Sequence, residues 1–405
     1  MEALPFSRHT PDFRLLLGAE LTFMLGFAIY NTVFINFAAQ EIRIVPRELG
    51  ILESVREIPG LLSVAIAAIT MWLLEPVLAS IALVVMAVGV FNYVHIDTVA
   101  GLVLFSLVWS IGFHTWAPLG ASMALRMGRE GEEARRLGLF RSTSNVGGLI
   151  GIGAVFLLVR FLHVPFRPMF VFSGVAILCA TLLLLRIKRG ARVRQQRIVL
   201  RRRYWLYYVL QFLDGTRRHI FMTFALFLLV REHGAGVQTI SILSFVNQIF
   251  SIGAAYLAGR LIDKRGERPV LAFGYAALTF IFLGYAFIDT VMVLFALYVI
   301  DNIFFSISIG IQTYAKKTLL KESDLRPTMV AGQTMNHVAA VVIPITGGLL
   351  WEAYGHAVPF LMGSAVAAIA VIASLQLKIG KGLVADVGQP SALPRSEAKP
   401  ALPEA

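Results

Sequence analysis

Two short stretches inside long apolar runs carry charges at helical spacing. In LQFLDGTRRHIF, residues 210–221, Asp214, Arg217 and Arg218 stand at i, i+3 and i+4, followed by His219. In LESVREIPG, residues 52–60, Glu53, Arg56 and Glu57 repeat that spacing, and Pro59 and Gly60 then favour a bend. Residues three and four apart share one face of a helix, so each acid can pair with an arginine one turn away. Asp214 neutralises one arginine and leaves the second over. In the other cluster the surplus is one negative charge. A free guanidinium offers a fixed fork of donors that matches carboxylate or phosphate, and an embedded acid or histidine can carry a proton. The chemistry on offer is anion binding and proton exchange. The competing account is that the charges pair only with one another and lock helices together.

Further polar residues interrupt apolar runs: Glu20, Tyr30, Asn31, His114, Trp116, Asp301, Asn336 and His337. Asp301, Glu20, Glu57 and His337 are the candidate proton carriers, beside the Glu53–Arg56 pair. Tyr30, Asn31, His114, Trp116 and Asn336 are candidate substrate contacts together with Asp214, Arg217 and Arg218. His337 has a plain alternative as a helix-packing residue.

The elements that must hold these residues follow from composition. The chain has 405 residues, 57% of them hydrophobic and 15% charged, with a mean hydropathy of +0.75. Soluble domains carry about a quarter charged residues, and here runs near twenty apolar residues recur along the chain. Such runs read as membrane-spanning helices. Twelve spans are expected, over residues 13–40, 49–74, 77–95, 99–126, 137–161, 165–186, 203–231, 236–259, 269–288, 290–315, 328–351 and 357–378. The fold class is an all-α polytopic membrane protein. The first apolar stretch is too long for a cleaved signal peptide and has no clear cleavage site. The single cysteine, Cys179, excludes an intramolecular disulfide.

Net charge +12 raises nucleic acid as a partner, and the placement of the charges answers against it. With both termini cytoplasmic, Arg43, Arg47, Arg160, Arg167 and Arg231 fall outside and Arg56, Arg217 and Arg218 are embedded. The remaining 28 of the 36 Lys and Arg lie on the cytoplasmic side. That asymmetry follows the positive-inside rule. The basic run from Arg186 to Arg203 is expected to touch anionic lipid headgroups. Compact loops point to a bacterial-type inner membrane.

The chain is written twice. Glu133 and Asp324, Arg135 and Arg326, and Asn145 and Asn336 are each separated by 191 residues, at the start of corresponding spans. The division is an N-terminal six-helix bundle (1–186), a basic linker (187–202), a C-terminal six-helix bundle (203–379) and a disordered tail (380–405) rich in Pro, Ala and Glu. Parallel halves of this kind are a transporter architecture with a binding site between them. The Glu133/Arg135 and Asp324/Arg326 pairs are expected to be loop-ordering salt bridges.

Between the eighth and ninth spans stands GRLIDKRGERP. Its Gly259, Asp263, Lys264, Gly266 and Arg268 resemble the loop signature of the major facilitator superfamily. Physically, glycines permit a tight reversal, Asp263 can sit at a helix N-terminus and the basic residues anchor at the cytoplasmic face. The resemblance covers about residues 10–380. It implies two six-helix bundles that rock around a cavity lined by the first, fourth, seventh and tenth spans, which carry Glu20, Tyr30, Asn31, His114, Trp116, Arg217, Arg218 and Asp301. The equivalent loop of the first half, MWLLEPVLAS, keeps one acid, Glu75, and none of the glycines or basic residues. The fifth span lacks the Gly-Pro pair of drug antiporters in the superfamily.

The expected function is secondary active transport of a small organic solute with an anionic or zwitterionic group, coupled to protons or another ion. The partners are that solute, the coupling ion and membrane lipids, and the protein is expected to be a monomer. Export of lipophilic or cationic compounds, with Glu20, Glu53, Glu57 and Asp301 as charge partners, is the alternative. A non-transporting sensor with the same fold stands as a third class. No nucleophile elbow, metal-ligand spacing or phosphate-binding loop stands out, so no enzyme, metal or cofactor is expected.

Overall fold

The computed structural model describes residues 10–127, 132–188, 190–193, 200–318 and 324–377; the tail expected beyond 380 lies outside the described residues. The first half is built from α1 (Pro11–Asn36), α2 (Pro46–Leu61), α3 (Ser63–Ile69), α4 (Glu75–Phe91), α5 (Val99–Arg126), α6 (Glu133–Leu162) and α7 (Phe166–Leu184). The second comprises α8 (Trp205–Arg231), α9 (Val237–Arg265), α10 (Glu267–Phe287), α11 (Val291–Phe304), α12 (Ile309–Thr318), α13 (Leu325–Tyr354) and α14 (Ala357–Leu375).

Local chemistry sets the boundaries. Thr10 caps α1 by accepting the Phe13 N–H at 3.3 Å, with Pro11 in the first turn where no N–H is needed. Thr98 does the same for α5 through Gly101 N–H at 3.2 Å. Gly266 ends α9 with φ +82, in the left-handed region that a side chain would strain.

Among the described residues, ten helices are long and apolar enough to cross a membrane. The two other expected spans depart for identifiable reasons. The second breaks into α2 and α3 at Leu62, just beyond Pro59 and Gly60, so neither piece reaches crossing length. The seventh, α8, is continuous for 27 residues but carries Asp214, Arg217 and Arg218 at its centre. The tenth continues from α11 to α12 through a tight turn at Phe305–Ser308. Large side chains such as Ile69, Phe280 and Met292 are more than two-thirds exposed, as a lipid-facing surface requires.

The helices form two bundles. In the first, α1 packs on α6 and α7, and α4 on α5 and α7; in the second, α8 packs on α13 and α14, and α10 on α14. The halves meet through α2 against α13 and α6 against α9, so the second span of each half lies on the fifth span of the other. At the end of the molecule remote from the termini this meeting is tight. The Pro344 carbonyl fills the space a side chain at Gly50 would need, and the Pro46 carbonyl does so at Gly348. Ser54 accepts the Ile345 N–H at 3.1 Å. Asn36 donates to the Ala235 carbonyl at 2.8 Å and Arg231 to the Ile44 carbonyl at 2.7 Å.

The end that carries the termini is held differently. Residues 190–193, inside the expected headgroup-facing linker, lie along the start of α4: Glu75 N–H donates to the Ala191 carbonyl at 2.9 Å and Val193 N–H to Leu73 at 3.2 Å. Gly259, Asp263 and Lys264 belong to the last turns of α9, leaving Gly266 alone to turn the chain. Asp263 therefore sits at a helix C-terminus. The acid at the following N-terminus is Glu267, fully buried, which pairs with Lys317 of α12 at 2.6 Å. Its counterpart Glu75 begins α4 and pairs with Arg126 at the end of α5. Arg126 and Lys317 lie 191 residues apart, so the acid–base clasp is itself repeated although the glycines and basic residues of the motif are not. Each acid also faces the positive end of its helix. At the start of α6 the ion pair joins Glu132 and Arg136 at 2.5 Å, and Asp324 pairs with Arg201 at 2.8 Å. The side chain of Arg326 lies outside the described residues.

The closed end offers a direct test. In a Cys179→Ser background, Arg47→Cys with Glu352→Cys replaces an ion pair of 3.9 Å between α2 and α13. Oxidation is expected to cross-link the halves and abolish solute counterflow in proteoliposomes, with recovery on reduction. Undiminished counterflow in a fully cross-linked protein would show that this end never opens.

Candidate functional site

The charges of α8 do not share one fate. Arg217 is wholly withdrawn from solvent and donates to Asp214 at 3.0 and 3.2 Å and to Asp301 of α11 at 3.4 Å. Tyr275 of α10 donates to the same Asp214 oxygen at 3.1 Å. One guanidinium thus faces two carboxylates, both buried. Asp301 Oδ2 has no hydrogen-bond partner among the described residues. Arg218 is exposed and makes no ion pair among the described residues. Its guanidinium stacks over the Phe305 ring at 5.4 Å, beside that of Arg217 at 5.0 Å over the same ring. The carboxylates whose charge reaches Arg218 are Asp214 and Glu57.

The α2 cluster is divided in the same way. Arg56 pairs with Glu53 and lies over the rings of Trp109 at 4.6 Å and Phe34 at 5.1 Å. The surplus acid, Glu57, is met by two histidines from other helices. His337 Nδ1 of α13 stands 3.1 Å from Glu57 Oε2, and His114 Nε2 of α5 stands 3.6 Å from it. On its other side the His114 ring meets the Ser110 hydroxyl at 2.9 Å and the Ser110 carbonyl at 3.1 Å. His337 Nε2 lies 3.2 Å from the Gln333 amide. A side chain at Gly60 would enter the space both imidazoles occupy. His219, buried, reaches Asn336 at 3.4 Å.

His114, His337 and Gln333 also line a cleft of about 880 Å³ together with Ser63, Thr70 and Ser122. It runs between α3, α5 and α13 toward the end that bears the termini. The first, fourth, seventh and tenth spans were expected to line the cavity; among the described residues this cleft takes its walls from the second, fourth and eleventh, with Glu75 and Leu78 at the start of the third.

The other candidates lie apart. Tyr30 is fully buried in an aromatic cluster, 3.1 Å from the Tyr93 hydroxyl, which Trp109 also reaches at 3.3 Å. Trp116 is 1% exposed and edges against Phe23. Asn31 is exposed. Glu20 is buried between Ser144 and Trp116, and its Oε2 has no hydrogen-bond partner among the described residues. Asn336 packs across Gly215 of α8. Asp263, Lys264 and Arg268 are exposed at the terminus-bearing end, away from these clusters. Tyr275, Phe305 and Glu267 are participants that the sequence did not single out. Tyr275 and Phe305 carry no distinctive spacing, whereas Glu267 sits within the loop motif itself.

Helices of this number and apolarity, arranged as two bundles, are those of a polytopic membrane protein. The description "Major Facilitator Superfamily" matches residues 16–315 and again 204–400, and the chain belongs to that superfamily. No curated protein sequence matches it. Among solved structures it is similar to the nucleoside transporter NupG, with 16% identity, a TM-score of 0.72, and 91% of this chain and 100% of that one covered. A bacterial homologue of the human lysosomal transporter Spinster, inward-facing and occupied, gives 15%, 0.69, and 90% and 96%. A D-xylose–proton symporter gives 11%, 0.67, and 91% and 97%. At these identities the likeness shows the fold.

Two substitutions separate the arginines. Arg217→Ala leaves Asp214 and Asp301 facing each other without a cation, and breaking a buried pair costs about 3–5 kcal/mol. It is expected to lower the melting temperature sharply in detergent, whereas Arg218→Ala leaves it near wild type. Equal losses would show that Arg218 is also a structural charge.

Proposed function

We propose that the protein is a secondary active transporter, driven by a proton gradient, of a small organic solute carrying a carboxylate, a phosphate or a zwitterionic group. The observation that carries this is the inequality of the adjacent arginines. Arg217 spends its charge on two buried acids, and Arg218 keeps an unpaired fork of donors beside it. A cation at this depth is costly unless it serves an anion, so a substrate anion is the partner Arg218 lacks.

Asp301 is the proton carrier in this scheme. It holds Arg217 through one oxygen at the longest of the three contacts, and its other oxygen has no partner among the described residues. A proton on Asp301 weakens that hold while Asp214 retains the guanidinium. Asp301 stands on α11 four residues before Phe305, whose ring carries both arginines. Releasing α11 from α8 shifts that ring and with it the Arg218 fork. Proton and solute are thereby linked through one helix contact. In the orientation favoured by the basic residues, both termini are cytoplasmic in a bacterial inner membrane. The closed end is then the outer face, the cleft faces inward, and a single chain suffices for alternating access.

Two measurements test this. Organic anions are expected to raise the melting temperature of the wild type but not of Arg218→Ala, because a ligand that binds only the folded state stabilises it by mass action. In proteoliposomes Asp301→Asn is expected to keep counterflow of the stabilising solute and to lose accumulation driven by a pH gradient. Unchanged proton-driven accumulation would remove Asp301 from the scheme. Stabilisation of wild type and Arg218→Ala alike by lipophilic cations, with loss of the effect in Glu20→Gln, would favour the alternative of cation export. The buried Glu20 carboxyl beside Trp116, with Oε2 lacking a hydrogen-bond partner among the described residues, supports that alternative. Absence of any counterflow of a bound ligand would leave the sensor role.

A further inference from the structure

Glu57, His114 and His337 come from three helices and both halves, yet a ligand atom of each lies within 4.8 Å of the others. We propose that they form a binding site for a divalent transition metal ion of the zinc class, which clasps α2 and α5 of the first half to α13 of the second.

The donor set suits such an ion. Two imidazoles and one carboxylate are ligands that zinc accepts when a fourth position is left open. Ligand atoms about 2.0–2.2 Å from a tetrahedral ion stand roughly 3.3–3.5 Å from one another. The separations from Glu57 Oε2 are 3.1 Å to His337 Nδ1 and 3.6 Å to His114 Nε2, on either side of that value. Small rotations of the two rings bring all three donors to one centre.

The surrounding groups point the lone pairs the right way. With the His114 ring proton on Nδ1, directed at the Ser110 carbonyl 3.1 Å away, Nε2 is free to bind an ion beside Glu57. For His337 the Gln333 side chain, 3.2 Å from Nε2, supplies the outer partner; with its amide oxygen turned inward it accepts the Nε2 proton and frees Nδ1. Outer partners of this kind orient metal-binding histidines generally. The three side chains are 12–21% exposed, and both histidines line the cleft, so an entry path and room for a water in the fourth position exist. Gly60 completes the cradle, since any side chain there meets both rings.

The charge that opposes the ion is Arg218, whose field reaches Glu57. The competing Arg56 is already taken by Glu53. Binding therefore rests on the affinity of imidazole for borderline metals and is selective for them over magnesium. Because the ligands belong to both halves, the ion holds the arrangement in which the end remote from the termini is closed. The site stands independently of the proposed solute and proton scheme.

The test uses the full-length protein with its affinity tag removed. Isothermal titration with Zn²⁺ is expected to show one site per chain and no comparable binding of Mg²⁺. Each of His114→Ala, His337→Gln and Glu57→Gln is expected to weaken binding at least about tenfold, since even loss of an outer partner costs 10–100-fold. Co²⁺ added to the wild type reports the geometry without any substitution, through the visible absorption of a tetrahedral centre. Gly60→Ala keeps all three ligands and is expected to weaken binding by crowding the rings. Zn²⁺ affinity unchanged in the three ligand variants, Mg²⁺ binding as tight as Zn²⁺, or an octahedral Co²⁺ spectrum would each overturn the site. The cluster would then be a hydrogen-bonded clamp between helices and nothing more.

Discussion

A guanidinium wholly withdrawn from water dictates what must surround it. Arg217 sits at the centre of α8, where neither solvent nor lipid can share its charge, so both Asp214 and Asp301 are drawn to it and Tyr275 is drawn to Asp214. Three helices of the second half, α8, α10 and α11, are thereby joined at one point. The pair Asp214–Arg217 needs only one helix, but the second acid requires α11 to approach α8 closely. Phe305, just past the end of α11, is carried by that approach to a place beneath both arginines. The free donors of Arg218 are therefore a by-product of satisfying its neighbour. A charge spent on two acids and one left without an ion pair among the described residues are produced by adjacent residues on the same helix.

The first half solves the same problem by other means. Glu53 and Arg56 satisfy each other within α2, and the guanidinium rests on Phe34 and Trp109, within an aromatic layer that also holds Tyr30 and Tyr93. The surplus carboxylate is then left to the interface, where histidines from α5 and α13 meet it. The absence of a Cβ at Gly60 is what lets both rings approach.

The two ends of the molecule are held by different physics. At the end remote from the termini, backbone approaches backbone at Gly50 and Gly348, and the contacts are van der Waals and hydrogen-bonded. At the terminus-bearing end, buried acids at helix N-termini, Glu75 and Glu267, hold basic residues from the next span within each half. These clasps tie spans inside a bundle and leave the bundles free to part.

Much of this was legible in the sequence. The alternation of apolar runs and basic loops determined a polytopic all-α fold, because hydrocarbon tolerates only helices of sufficient length with satisfied backbones. The 191-residue repeat determined two related halves, and the i, i+3, i+4 spacings determined that Asp214 and Glu53 would each hold one arginine. Sequence could not say which arginine, because positions i+3 and i+4 are equally near on an isolated helix; the approach of Asp301 from α11 decided it. Nor could any spacing join residues 57, 114 and 337, whose meeting depends on how α2, α5 and α13 cross. Periodicity fixes what lies within one helix, and contacts between helices are set by packing that no single stretch encodes. That is why the charges were visible from the start and their partners became visible only in three dimensions.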